Sequence, residues 1–318
     1  MTESPAIIAV DIDGTLLTSS GTVLPGTRAE FARARDAGAT IALASGRPVV
    51  GLRRLVRMSS LDDRGFVLIG VNGAMSVDAD TGEVVARRPL ALDVVADILE
   101  LAEQHDVLVM LCSGDRLVVD RPGHPQVSVE ADGNELAVEA VPSLADAVSA
   151  GADTVVDKVL MHADPARLRP FGDVFADRFA GVTEFAFSAP FYFEATARGV
   201  DKGSALADLA AARGVELSRC VAFGDNGNDL PMLRAAGLGV AMANSTAAVR
   251  AAADRVTASN DDDGIAVVLR ELFGGGVPAP AVPEPTDVEP LHALDLRELG
   301  GSGHPDDAPE QAAPPSHE

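Results

Sequence analysis

Asp11 and Asp13, within Asp11-Ile12-Asp13-Gly14-Thr15, set two carboxylates two residues apart directly after the apolar run Ala6-Ile7-Ile8-Ala9-Val10. Like charges this close repel unless a cation or a proton holds them, so the pair points to metal binding or proton transfer. The apolar run reads as a buried parallel strand that Gly14 and Thr15 end. Both acids therefore fall at a strand's carboxyl end, where open α/β sheets bind ligands. Two more segments end strands in the same way. Ile41-Ala42-Leu43-Ala44 runs into Ser45-Gly46-Arg47, and Val221-Ala222-Phe223 runs into Gly224-Asp225-Asn226-Gly227-Asn228-Asp229. Asp201-Lys202-Gly203 stands at a helix start between them. Gathered at one sheet edge, these residues supply a carboxylate pair, a hydroxyl, a lysine and a second acidic cluster. That inventory fits Mg²⁺-assisted phosphoryl transfer: carboxylates take the hard cation, while lysine and hydroxyl hold phosphoryl oxygens.

The elements that must position them follow one grammar of buried strand, turn and helix. Strands are expected at 6–10, 40–44, 66–71, 220–223, 239–242 and 255–257. A helix over 202–213 puts Leu206, Leu209 and Ala210 on one face and stops at Gly214, and a second runs from Asn228 to Ala236 with Pro231 in its first turn. Strand–helix alternation implies right-handed crossovers and a parallel sheet covered on both faces. The middle of the chain reads differently. A hairpin at 77–85, a helix at 92–105, strands at 107–112, 117–120 and 155–161, a helix at 165–179 and a strand pair at 182–194 suggest an inserted α+β module. The expected division is a core over 1–75 and 198–273, an inserted cap over 76–197, and a tail over 274–318.

The 318-residue chain carries a formal charge of −23 at pH 7, which repels nucleic acid and anionic membrane surfaces, so neither is expected as a partner. An anionic substrate then needs local positive charge at its site. Nothing approaches a membrane-spanning apolar run, the first residues lack a basic leader pattern, and Cys112 and Cys220 are the only cysteines. A cytoplasmic protein without a disulfide framework is expected. From Gly274 to Glu318 nine Asp and Glu face Arg297 alone among many Pro and Ala, a composition expected to be disordered. Within it, the segment 291–299 is the one piece suited to a short helix on a partner.

In this order and with this insertion, the segments resemble the four motifs of the haloacid dehalogenase (HAD) superfamily. The inserted module resembles the C2B-type cap of Cof-like phosphatases, as do Leu230-Pro231-Met232-Leu233 and the segment Val256–Ile265. The resemblance spans about residues 4–273. It implies a Rossmann-like doubly wound core and assigns roles residue by residue. Asp11 matches the nucleophile and Asp13 the acid/base. Asp11, the backbone carbonyl of Asp13, and Asp225 would hold Mg²⁺, and Asp229 would orient the metal's water or the lysine. Ser45 and Lys202 would bind the phosphoryl group, Asn228 would donate to it or fix a neighbour, and Arg47 would meet the leaving group. An acid at position 13 matches phosphatases and mutases, whereas transport ATPases carry threonine there. A phosphatase of small phosphorylated metabolites, sugar phosphates first among them, is the expectation. A phosphomutase on the same core or a non-catalytic binding protein are the alternatives. Taken singly, Ser45 reads as a turn residue, Lys202 as a solvated helix start and Lys158 as a cap-surface residue. The tail offers no identifiable partner.

Overall fold

A computed structural model of the chain describes residues 4–59, 61–151 and 154–274. The tail after Gly274, including the 291–299 segment, lies outside the described residues. The first stretch contains β1 (Ile7–Asp11), α1 (Pro25–Asp36), β2 (Thr40–Ala44), α2 (Val49–Met58), β3 (Phe66–Gly70), β4 (Met75–Asp78) and β5 (Val84–Arg87). The middle holds α3 (Leu92–Gln104), β6 (Leu108–Ser113), β7 (Arg116–Val119), α4 (Pro125–Asn134), β8 (Ala137–Ala140) and α5 (Leu144–Ala150). It continues through β9 (Lys158–His162), α6 (Pro165–Phe179), β10 (Thr183–Ala189) and β11 (Tyr192–Ala197). The last part holds α7 (Lys202–Arg213), β12 (Cys220–Gly224), α8 (Leu230–Ala235), β13 (Leu238–Ala241), α9 (Ala247–Ala252), β14 (Arg255–Val256) and α10 (Gly264–Leu272).

Among the described residues the strands form two sheets. The core sheet runs β14-β13-β12-β1-β2-β3-β4-β5, parallel from β14 through β3. The strand order reverses outward from β1, so β1 sits at the switch point, with β2 on one side and β12 on the other. Both faces are covered as expected. Ile8, Val10 and Leu43 pack with α1, α2 and α10 residues on one side, and Ile7, Ala9 and Ala42 with α7, α8 and α9 residues on the other. The hairpin β4–β5, read from sequence as opening the inserted module, instead pairs with β3 through Val67↔Asp78 and Gly70↔Met75. It gives the otherwise open edge of β3 an antiparallel partner, and the second sheet's elements begin only at α3.

The second sheet runs β10-β11-β9-β6-β7-β8, antiparallel except between β7 and β8. On one face, Phe171, Phe175 and Phe179 of α6 join residues of α3 and α5 in the cap's own core. On the other face, Leu108, Met110, Leu117 and Leu160 pack beneath Val127 and Ala131 of α4, and Val50 of the core helix α2 packs against the same cluster. This second face therefore looks toward the core. Three polar links hold the two parts together: Arg54 donates to the carbonyls of Asp132 and Gly133 at the end of α4 (3.0 and 2.8 Å), Arg57 reaches Glu135 (2.5 Å), and Arg87 pairs with buried Asp157 (2.7 Å). A cation on terminal helix carbonyls is favourable. Lys158, expected at the cap surface, is 3% exposed and salt-bridged to Glu194 at 3.1 Å. Its strand faces the core domain, not solvent.

Candidate active site

Parallel register places the chemistry-bearing residues together. Asp11 lies opposite Ala44, so Ser45 is the next residue on β2, and Val10 lies opposite Phe223, so Gly224 and Asp225 follow on β12. All three strand ends open on one edge. After β1 the chain turns tightly, with the amides of Leu16 and Leu17 returning to the Ile12 carbonyl (3.0 Å each). Gly14 carries that turn at φ +84°, and a Cβ there would stand 2.5 Å from Asp225 Oδ2. Only glycine lets the Asp11 loop and the Asp225 loop approach so closely. Asn244 Nδ2 donates to the Gly14 carbonyl at 2.7 Å, and Asn260 Nδ2 to the Leu17 carbonyl at 2.7 Å. Asp263 Oδ1 accepts from the Thr27 amide and hydroxyl (2.9 and 2.6 Å). The polar segment 260–263 thus clasps the segment that follows β1.

Lys202 is the centre of charge. It enters α7 behind the N-cap Asp201, whose side chain accepts from the Ser204 amide at 2.6 Å. Its side chain is fully buried, and Nζ pairs with Asp11 Oδ1 and with Asp229 Oδ1 at 2.7 Å. Burial opposes its charge, but the carboxylates of Asp11 and Asp229 outweigh that and hold Lys202 above its usual value. Asp229 is itself completely buried: its Oδ2 accepts from the amides of Asp225 and Asn226, both at 3.0 Å. Gly224 permits this, since a Cβ there would lie 2.4 Å from the Asp229 Cβ. Asp229 thus ties the lysine to the Asp225 loop.

Asp11, Asp225 and Asp229 offer carboxylate oxygens that all lie within 4.8 Å of one another. Burial first, then the charge of Asp229, push the Asp11 carboxyl well above the usual carboxylate range, with Lys202 only partly opposing. Burial and Asp229 likewise raise Asp225 to about 6, against a hydrogen bond from Thr15 Oγ1 at 2.9 Å. Crowded, buried carboxylates of this kind form a site that a divalent cation relieves, and an all-oxygen donor set suits a hard one. Asp11 and Asp225 are best suited as ligands, because both oxygens of Asp229 are already engaged by Lys202 and by backbone amides.

The remaining expected residues divide. Ser45 is buried at the mouth of β2, its Oγ accepting from the Arg47 amide at 3.3 Å. Arg47, expected to meet the leaving group, is engaged with the proposed acid/base Asp13. Its guanidinium grips Asp13 through Nη2 at 3.1 Å and Nε at 3.3 Å. Asp13 is about one-third exposed, the most open of the acids at this edge whose side-chain exposure bears on a salt bridge here. Asn228 Nδ2 donates to Asn72 Oδ1 at 3.3 Å. Sequence reasoning missed Asn72. It follows β3 in Val71-Asn72-Gly73, and both Val71 (φ 53°) and Asn72 (φ 52°) occupy the left-handed region. That conformation is costly for a β-branched valine and marks a site held in place by its surroundings. Here the Val71 amide bonds the Arg47 carbonyl (2.8 Å) and the Asn72 amide the Ser45 carbonyl (2.9 Å). The Asn-Gly pair at the end of a core strand was the available signal.

Between this edge and the cap lies a cavity of about 420 Å³. Its core wall includes Lys202, Asn72 and Asn228, and its cap wall includes Glu184, Ser188, Glu194 and Thr196.

Residues 8–269 match the family described as haloacid dehalogenase-like hydrolase. A 5-amino-6-(5-phospho-D-ribitylamino)uracil phosphatase of Bacillus subtilis is 31% identical over 86% of this chain and 99% of its own. A pyridoxal phosphate phosphatase of Escherichia coli is 30% identical over 82% of this chain and 96% of its own. The crystal structure of a haloacid dehalogenase-like hydrolase from Bacteroides thetaiotaomicron superposes with a TM-score of 0.73 at 29% identity, covering 85% of this chain and all of the other. A family model that covers most of the chain, and phosphatase relatives that match it over nearly their whole length, show that the chain belongs to the haloacid dehalogenase-like hydrolases, among their phosphatases.

Proposed function

We propose that the protein is a Mg²⁺-dependent phosphatase of small phosphorylated metabolites, with sugar phosphates the leading class, acting through an aspartyl-phosphate on Asp11. The observation that carries this reading is the Lys202 bridge, which sets one cation against Asp11 with a fully buried acid, Asp229, behind it. Asp11, Asp225 and the backbone carbonyl of Asp13 would hold Mg²⁺, which supplies positive charge for the phosphoryl oxygens. Lys202 and the Ser45 hydroxyl bind those oxygens, and Lys202 offsets the repulsion between an anionic nucleophile and an anionic substrate. Asn228, steadied by Asn72, adds a side-chain amide at the same mouth.

A carboxylate oxygen of Asp11 attacks phosphorus in line. The bond from phosphorus to the leaving oxygen breaks, and that oxygen takes a proton from Asp13. Water then attacks phosphorus and gives its proton to Asp13. The bond to Asp11 breaks, which returns the carboxylate and frees phosphate. Arg47 holds the Asp13 carboxyl in one orientation for both transfers. The cap excludes bulk water and presents its own side chains to the leaving group. Both relatives above act, by name, on phosphomonoesters of small polar molecules, which supports the substrate class. With no helix among the described residues able to cross a membrane and a strongly acidic chain, we assign the enzyme to the cytoplasm, without nucleic acid or lipid as partner. A phosphomutase would have to seat the second phosphate of a bisphosphate activator. Lys202 is the one basic residue lining the cavity among those described, and it is already paired, which favours water as acceptor.

Phosphate release from sugar phosphates, nucleotides and p-nitrophenyl phosphate, with Mg²⁺ and with EDTA, tests the proposal. Mg²⁺-dependent turnover is expected. A folded protein inert toward every member of the panel would overturn it.

A further inference from the structure

The cap wall of the cavity has a charge pattern of its own. Along β11 the side chains alternate: Phe193 and Ala195 join the cap's core, so Tyr192, Glu194 and Thr196 share the face turned toward the catalytic edge. On β10 the register pairs Glu184 with Thr196 and Ala186 with Glu194, which puts Glu184 on that face as well. Glu194 does not lie there loosely. Its Oε1 accepts from Lys158 Nζ at 3.1 Å, and that lysine is almost wholly buried. Glu130 of α4, 4% exposed, adds its charge to the field on Lys158, while Glu194 alone contacts the ammonium. Ser188 is also among the residues lining the cavity, with its hydroxyl buried and without a hydrogen-bond partner. Phe185, Phe187, Val200, Leu230 and Pro231 supply the apolar part of the lining.

We propose, on the phosphatase reading above, that Glu194 and Glu184 are charge-selecting residues for the leaving group, and that the site takes monophosphates whose alcohol portion is uncharged or cationic and rejects those with a second anionic group. The phosphoryl end is fixed at Lys202 and Asn228, and the same cavity reaches the cap carboxylates, so a ring-sized alcohol meets them. Hydroxyls and ammonium groups are donors to carboxylates, whereas a second carboxylate or phosphate would meet acidic lining without a free cation. Lys158 is a positioning residue: its ammonium holds the Glu194 carboxylate in place from within the sheet face.

Three ring-sized or equally long monophosphates separate the cases: glucosamine 6-phosphate (cationic), glucose 6-phosphate (neutral) and 6-phosphogluconate (anionic). We expect kcat/KM to fall in that order. The neutral-to-anionic step should be roughly tenfold or more, the scale for unit charges about 10 Å apart near a protein surface. Glu194→Gln and, independently, Glu184→Gln should each compress the cationic-to-neutral and neutral-to-anionic ratios. Glu184→Gln keeps a side-chain oxygen for the Gly199 amide and leaves the buried lysine untouched, so it serves if Glu194→Gln folds poorly. Equal kcat/KM for 6-phosphogluconate and glucose 6-phosphate, or ratios unmoved by both variants, would overturn the proposal. Dissociation constants of the same three compounds for the Asp11→Asn protein separate the two claims. The same ranking in binding without turnover by the wild type would contradict the hydrolase and leave charge selection standing, and no ranking in either readout would end it.

Discussion

Two lysines in this molecule are buried, Lys202 between two carboxylates and Lys158 against one, and the proposed reading gives them different work. Lys202 sits at the edge of the core sheet, where Asp11 and Asp229 grip it. Lys158 sits in the cap sheet, where Glu194 grips it and Glu130 adds its charge. In both, burial disfavours the ammonium and the acids restore it, so both are held above the usual lysine value. The surroundings differ. Around Lys202 the acids belong to loops after strands, whose orientation is fixed by backbone amides and by glycines at close approach. Around Lys158 the partners lie in the middle of strands and on a helix face. In the proposed reading, the charge at the strand ends serves the reaction, and the charge within the sheet face shapes the wall that selects.

The comparison can be broken in several places. Asp11→Asn removes the proposed nucleophile and should lower kcat by at least about 10⁴-fold without unfolding the protein. Near-wild-type phosphate release with unchanged circular dichroism would remove Asp11 from that role. Asp13→Asn should cost roughly 10²–10⁴-fold for a sugar phosphate and much less for p-nitrophenyl phosphate, whose leaving oxygen needs no proton. Equal losses on the two substrates would count against proton donation.

The two lysines should then separate by readout. Lys202→Met should reduce kcat by roughly 10²–10³-fold, as for loss of a preorganised cation at the developing charge. Lys158→Met should act first on stability, by about 3–5 kcal/mol in chemical denaturation, because it leaves Glu194 and Glu130 buried without their counter-charge. A Lys158→Met protein as stable as wild type would show that the cap pair is not a buried ion pair in solution.

The smallest effect is on metal affinity. A bound cation takes the place of the proton on Asp225, whose value is about 6 without metal. Above that pH the carboxylate is free to bind. Below it the proton competes, so Mg²⁺ affinity by calorimetry should fall as pH drops through 6, with proton release on binding. An affinity flat between about pH 5 and 7 would place Asp225 outside the metal's ligands.

Much of the core was legible because its signals are local. An apolar pentad ending in Asp-x-Asp-Gly, or in Ser-Gly-Arg, states both the strand and its end, and Gly214 marks the close of α7 with a left-handed φ of 63°. Roles that depend on distant partners were harder to read. Arg47's partner Asp13 lies 34 positions away, and nothing in Ser45-Gly46-Arg47 announces the pairing. Asn72 was missed because its value comes from the Val71-Asn72 backbone, which only the packing against Ser45 and Arg47 explains. In the cap, α4 escaped because Pro125-Gln126-Val127-Ser128-Val129-Glu130 has almost no apolar stripe, and one of its carboxylates is buried. Lys158 was misread for a related reason: alternation tells which residues share a face, not whether the second face is covered by another domain.

The most direct test of the central claim is to quench the enzyme in acid during steady turnover of p-nitrophenyl phosphate with Mg²⁺ and weigh its peptides. The account predicts a phosphoryl group on the peptide containing Asp11, absent in Asp11→Asn and absent without substrate. Turnover at full rate with Asp11 unmodified, after reduction of any acyl phosphate by borohydride also fails to mark that residue, would contradict it.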